Sequence, residues 1–322
     1  MSAGSAVSGL IADIGGTNAR FALVGPGGET TAERVLKCAD FPGPAEAAQV
    51  YLAETQPAAL PRLAAFAVAS PVIGDVVDMT NHVWRFSIEA TRKRLGFERL
   101  EVVNDFIAIA LAVPGLKRQE CDKIGHGQPW TRYPIGVIGP GTGLGVALLI
   151  PHGDHFLPIA TEGGHVTMPA ADDLEAEVLG ALRRRFGHVS AERVISGPGL
   201  VNLYQALAEV RGVEPRACGP EEITAAAGEE ADPLARDTLD LFFAMLGCLA
   251  GNLALTTGAF GGIYLAGGIL PQHVAELKAS RFRARFEDKG RFKDYNGNIP
   301  TFLITHPYPA FPGLASLIQP PS

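Results

Sequence analysis

Two glycine-rich turns carry the residue types that phosphate chemistry needs. Gly9 to Ile14 is a short apolar run interrupted by Asp13; it leads into Gly15-Gly16-Thr17, and Ala19 to Val24 is mostly apolar again. The same pattern returns where Ile135 to Ile138 and Val146 to Ile150 flank GPGTGLG, which contains Gly141, Thr142 and Gly143. Such turns let backbone amides face an anion without a side chain in the way, and Thr17 or Thr142 adds a hydroxyl donor. Asp13 would repel a polyphosphate unless a divalent cation lay between them, so its position implies Mg²⁺ held through water. The alternative is a pair of ordinary hairpins whose glycines satisfy positive φ. No Gly-Lys dipeptide occurs, which excludes a Walker A loop. The glycines of the second turn lack the offset of a dinucleotide fingerprint, and a strand follows them rather than a helix.

A second set of residues suits an acceptor with several hydroxyls. LEVVNDFIAIAL reads as a buried strand ending in Asn104-Asp105 and running into a helix, which puts an amide and a carboxylate where ligands of α/β sheets gather. Asp105 either serves chemistry there or caps the helix. TEGGHVTMP places Glu162 and His165 around two glycines, and Glu192 lies near a helix start, where the dipole favours a carboxylate in any case. Asn, Glu, Glu and His together can satisfy a sugar's hydroxyls. One further carboxylate could accept the attacking hydroxyl's proton, and phosphoryl transfer asks for little more than alignment, a base and charge neutralisation.

The elements that must position these groups are those of a mixed α/β protein. Ala64 to Ala69 and Leu100 to Val103 are expected as strands, Asp105 to Val113 as a helix stopped by Pro114-Gly115, and Gly115 to Pro134 as a polar boundary between domains. Asp172 to Phe186 is expected as a helix with Leu174, Val178, Leu182 and Phe186 on one stripe and Gly187 as its C-cap. Leu234 to Leu255 is a further, largely buried helix, and Gly262 to Ala266 a buried strand delivering Gly267-Gly268 to a turn. The repeated strand, turn, strand pattern points to an internal duplication. A length of 322 residues suits two domains, and 47% hydrophobic with 19% charged residues excludes a disordered chain. Lys and Arg number 27 against 34 Asp and Glu, and this net charge of −7 argues against a nucleic-acid partner. Arg183-Arg184-Arg185, a compact basic run, complements a helix C-terminus. The four cysteines, Cys38, Cys121, Cys218 and Cys248, form no CxxC pair and read as reduced thiols. MSAGSAVSGL does not read as a signal peptide, and Leu241 to Leu255 is too short for a membrane span, so a soluble cytoplasmic protein is expected.

ADIGGTNAR, MTNHVWRFS, LEVVNDF, GPGTGLG, EGGHV, HVSAERVISGPGLVNLY, LAGGI and FEDKGRF follow one another along nearly the whole chain. In this the sequence resembles the bacterial glucokinases of the ATP-dependent, non-ROK type. The resemblance implies the actin-like ATPase (ribonuclease-H-like, hexokinase) fold, two duplicated α/β domains around a central cleft, and a homodimer. It implies domains of residues 1–115 plus 302–322 and of 116–301. It also implies that Asp105 deprotonates the 6-hydroxyl of glucose while Asn104, Glu162, His165 and Glu192 hold the other hydroxyls. ATP would lie over Ala12, Asp13, Ile14, Gly15, Gly16 and Thr17, with Gly141, Thr142 and Gly143 on the second turn and Gly267 and Gly268 near the adenosine; Asp13 would meet Mg²⁺ through water. Ala12 stands where the family usually has Gly. The tail THPYPAFPGLASLIQPPS matches less well, and the absence of cysteine between His165 and Cys218 argues against the structural zinc of ROK kinases. His152, Asp154 and His155 read as a solvated hairpin turn, FEDKGRF as a solvated face, and Asn81 with His82 as a loop that either closes over the sugar or is plain surface.

Overall fold

The computed structural model describes residues 9–80, 82–216, 219–228 and 232–319. Its contacts divide the chain into two compact units, one reaching Lys117 and resuming at His306, the other Arg118–Thr305.

The first unit is built on a five-stranded sheet. β1 (Gly9–Ile14), β2 (Asn18–Val24) and β3 (Thr30–Lys37) form an antiparallel meander. Helix α1 (Pro44–Thr55) then leads to β4 (Leu63–Val68), which pairs parallel to β1. A small hairpin of β5 (Val76–Asp78) and β6 (Arg85–Ser87) precedes α2 (Ile88–Leu95), β7 (Arg99–Asn104) and α3 (Asp105–Ala112). The resulting order is β3-β2-β1-β4-β7. Every residue of β1 except Asp13 is buried, as an apolar run in a covered sheet must be. β3, by contrast, is an edge, and its exposed Glu33, Arg34 and Lys37 discourage further pairing. The divergent tail has a clear packing role: its helix, Ala310–Ile318, lies on α3, β1 and β4. Gly313 makes the approach to α3 possible, since a Cβ there would sit 1.9 Å from the Ala108 carbonyl oxygen.

In the second unit, β8 (Cys121–Ile124) is followed by the meander β9 (Ile135–Pro140), β10 (Leu144–His152) and β11 (His155–Thr161). Four helices come next: α4 (Asp173–Phe186), α5 (Gly197–Arg211), α6 (Pro220–Gly228) and α7 (Pro233–Thr257). After β12 (Gly262–Leu265) come the short helices α8 (Val274–Ala279), α9 (Phe282–Glu287) and α10 (Lys293–Asn298), and then β13 (Thr301–Ile304). The sheet order is β11-β10-β9-β12-β13-β8. Its first five strands repeat the order and sense of the first sheet: two antiparallel pairings on one side of the lead strand, two parallel pairings on the other. Helix α4 has the expected stripe, Val178 and Leu182 fully buried with Leu174 and Phe186 packed beside them, between an Asp172 N-cap and a Gly187 C-cap.

Four expectations are corrected. Gly115 to Pro134 is not only a polar boundary, because Cys121–Ile124 pairs antiparallel with β13 as a sixth strand. The apolar segment around Leu241 to Leu255 belongs to a 25-residue helix, started by the Asp232 cap with Pro233 and ended by Gly258 in the left-handed region. That helix is long and apolar enough to cross a membrane, but 78% of its most apolar window is buried inside the protein. FEDKGRF is only in part a solvated face: Asp288, Gly290, Arg291 and Phe292 are exposed, but Phe286 is fully buried, Glu287 pairs with Arg283, and Lys289 Nζ lies 3.8 Å from Cys248 Sγ. The helix expected to run to Val113 ends at Ala112, and Val113–Gly115 tightens into a 3-10 turn at the proline. His152 and His155 face each other across the Gly153-Asp154 hairpin turn, and Asp154 pairs with Arg132. Cys38, Cys121 and Cys248 are free thiols, whereas Cys218 and Asn81 lie outside the described residues.

Candidate active site

In the first unit the strand registers bring the chemistry together. β1, β4 and β7 run parallel, and Ile14, Val68 and Asn104 stand level at their C-terminal ends, where α/β proteins bind ligands. Asp13 and Asp105 thus flank one row. The hairpin register sets Arg20 opposite Asp13, and its guanidinium donates to the carboxylate at 3.2 Å. Asn104 is the N-cap of α3, its Oδ1 accepting from Phe106 N–H at 2.9 Å. The same N–H is shared with Asp105 Oδ1, also at 2.9 Å. Capping therefore falls to Asn104, whose Nδ2 donates to the Ser70 carbonyl at 3.4 Å.

Burial dominates the electrostatics of the pair. Burial pushes the Asp105 carboxyl up from an ordinary 3.8 to about 7; the negative charge of Asp13 adds to the rise, while hydrogen bonds from Phe106 N–H, its own N–H and Asn104 oppose it. Asp13 is also raised, by burial, against the downward pull of Arg20.

In the second unit Glu162, His165 and Glu192 form one cluster beside the second turn. His165 Nε2 lies 3.9 Å from Glu162 Oε2, and Nδ1 lies 4.0 Å from Glu192 Oε1. Glu192 sits in a 3-10 turn, Ala191–Arg193, just before α5, and its Oε2 accepts from Leu144 N–H at 2.9 Å. One of its oxygens is thus committed to the turn while the other faces the histidine. Gly164 allows the Glu162 to His165 segment to lie against β10, since a Cβ would fall 2.0 Å from the Leu144 carbonyl oxygen.

The glycines of the turns differ from expectation in their reason. Gly15, Gly16, Gly141 and Gly143 are not among the positive-φ residues, so a left-handed backbone is not what selects them. Two of the amides close the turns instead of facing outward: Gly15 N–H donates to Asn18 O at 2.9 Å and Gly141 N–H to Gly143 O at 2.8 Å. Close approach explains others. A Cβ on Gly143 would sit 2.6 Å from Glu192 Oε2, and one on Gly139 would sit 2.3 Å from the Ala266 carbonyl oxygen. Gly267, at φ +88, packs back on Pro140 O at 2.2 Å from its would-be Cβ, joining the LAGGI segment to the second turn. Beside Gly268 the space is open. Ala12 is fully buried and leaves Asp13 at the strand end as expected.

A family model described as Glucokinase matches residues 10–320. The chain belongs to the glucokinase family. A glucokinase from Paramagnetospirillum magneticum is 53% identical to it over 97% of this chain and 98% of that one. The crystal structure of a glucokinase from an Antarctic psychrotroph superposes with a TM-score of 0.87 at 39% identity, covering 96% of this chain and 98% of the other. A ROK family glucokinase from Streptomyces griseus, solved in complex with glucose and AMPPNP, superposes at 0.65 with 18% identity, covering 97% and 99%, a likeness of fold alone. The sequence motifs single out Asp13, Asn104, Asp105, Glu162, His165 and Glu192, and they do not announce Arg20, Ser70 or Gly139, which the structure places in contact with these groups or with the turns. Arg20 could have been found by folding β1 onto β2 about the Gly15 to Thr17 turn. Gly139 and Ser70 act through contacts that no local pattern announces.

Proposed function

We propose that this member of the glucokinase family transfers the γ-phosphoryl group of ATP to the 6-hydroxyl of D-glucose, giving glucose 6-phosphate and ADP. The observation that carries the assignment of the base is the Asp105 carboxyl at the C-terminal end of β7, pushed up to about 7, where a general base works best near neutral pH. Asp105 takes the hydroxyl proton as the sugar oxygen bonds to the γ-phosphorus, and the bond from that phosphorus to the β-γ bridging oxygen breaks. Glu162, the free oxygen of Glu192, His165 and the remaining donor and acceptor capacity of Asn104 hold the other hydroxyls.

Ala12 to Thr17 and Gly141 to Gly143 hold the phosphates in this reading, with Gly267 and Gly268 beside the adenosine, a place the open space at Gly268 supports. A Mg²⁺ ion prefers a few carboxylate contacts and retained waters, and a single half-buried carboxylate, Asp13 at a strand end, fits that habit. The ion's contribution is to neutralise phosphate charge during transfer. The matching order and sense of five strands in the two sheets supports reading the units as duplicated domains. Free thiols at Cys38, Cys121 and Cys248 support a cytoplasmic setting, the acidic charge argues against nucleic acid, and a homodimer follows from the resemblance.

Coupled ADP release across a panel of hexoses, amino sugars and carboxylates is the test. Glucose should give the highest kcat/KM, and Asp105→Ala should reduce kcat by about 10²–10⁴ while glucose binding by calorimetry persists. Near wild-type turnover in that variant overturns the base assignment, and a better non-hexose acceptor overturns the substrate.

A further inference from the structure

Ser70 stands two residues beyond the end of β4, the strand between those of Asp13 and Asp105. It is only 3% exposed, yet both of its polar ends are engaged. Its carbonyl accepts from Asn104 Nδ2 at 3.4 Å. Its Oγ accepts from Thr80 N–H at 2.7 Å and lies 3.1 Å from Thr80 Oγ1. A hydroxyl has one proton and two lone pairs. Either of these two hydroxyls can be the donor in the bond they share. Whichever donates, Thr80 Oγ1 keeps a proton or a lone pair for another partner, and Thr80 is an exposed residue.

From this geometry we propose that Thr80 is a further contact for a hydroxyl of the acceptor sugar, and that Ser70 is the positioning residue that holds Thr80 and Asn104 at one rim of the sheet. The inference rests on the sugar-kinase reading above and deepens it. The segment is fixed from its far side as well: Met79 N–H donates to Trp84 O at 3.0 Å, and the buried Trp84 indole donates to Phe41 O at 2.9 Å. Thr80 is therefore presented from a braced backbone, the condition under which one hydroxyl discriminates between ligands.

The test is steady-state kinetics with glucose and its 1-, 2-, 3- and 4-deoxy analogues. Thr80→Val keeps the shape and removes the hydroxyl. It should raise KM for glucose about tenfold, the loss of one hydrogen bond, with kcat within about threefold and KM for ATP unchanged. One deoxy analogue should show no further loss in Thr80→Val, because the partner hydroxyl is already gone, and Thr80→Ser should restore wild-type KM. Ser70→Ala should also raise KM for glucose, by releasing the Thr80 hydroxyl from its orientation. An unchanged KM in Thr80→Val, or equal losses on every analogue, overturns the proposal. A wild-type enzyme that ignores glucose defeats the parent reading instead, so the two failures are distinguishable.

Discussion

Replacing Asp105 with Asn removes the charge and keeps the shape, including the oxygen that accepts from Phe106 N–H at 2.9 Å. The folded protein holds the Asp105 proton up to about pH 7, whereas an ordinary aspartate releases it near 3.8. Because the folded pKa lies above the unfolded one, the contribution to stability is complete below about pH 4 and is lost as the pH rises to 7. Above that, the wild type carries an ionised carboxylate in surroundings that disfavour it. The rise corresponds to about 4 kcal/mol at roughly 1.4 kcal/mol per tenfold, and solvent screening at a half-buried site reduces this to about 2 kcal/mol. Asp105→Asn should therefore be more stable than wild type at pH 8, with a Tm about 4–8 °C higher. At pH 4.5 the two should melt within about 1–2 °C of each other. Scanning calorimetry of the ligand-free proteins at both pH values measures this, alongside turnover, which should fall by about 10²–10⁴. A gain of equal size at both pH values, or a loss at pH 8, refutes the claim that burial and Asp13 raise this carboxyl.

As the proposed base, the same carboxyl should set the acid limb of the rate profile, with kcat/KM for glucose falling below a midpoint near the Asp105 value of about 7; a midpoint near 4 counts against it as the base. Gly267→Ala would place a Cβ 2.2 Å from Pro140 O at a residue with φ +88, so it should lower stability by about 3 kcal/mol and raise KM for ATP more than KM for glucose, read from urea unfolding and initial rates. Glu175 is fully buried, pairs with Arg285 and accepts from Ala171 N–H at 2.7 Å. Its replacement by Ala strands a guanidinium whose side chain is 11% exposed; Asp172, 3.3 Å away, relieves part of this, and a loss of about 3 kcal/mol in denaturant unfolding is expected.

What could be read in advance was local. Apolar runs on either side of a glycine turn announce two strands and a hairpin, and both meanders lie where that pattern puts them. Caps and an apolar stripe likewise delimit α4. The rest depends on partners distant in sequence. β3 reads as polar because it is an edge strand with exposed charges, and β8 and β13 are each only four residues long. FEDKGRF looks solvated because its charges balance, but Glu287 pairs with Arg283 and Lys289 lies beside the α7 thiol of Cys248, partners that lie outside the motif. Gly139 needs its hydrogen because of Ala266, more than a hundred residues away along the chain.

The site residues were legible as types and not as states. An aspartate after a strand end can be a cap, a metal partner or a base, and the sequence ND contains all three possibilities. What separates them is the parallel register that brings Asp13 and Asp105 to neighbouring ends of β1, β4 and β7, together with the Asn104 cap that leaves Asp105 to other work. Arg20 pulls the Asp13 carboxyl down without overcoming its burial, whereas Asp105 has the nearby charge of Asp13 acting against its ionisation. Both carboxyls are raised by burial and only Asp13 has a guanidinium beside it, the asymmetry on which the proposed division into a phosphate-side group and a proton acceptor rests. No such asymmetry is visible from residue types alone.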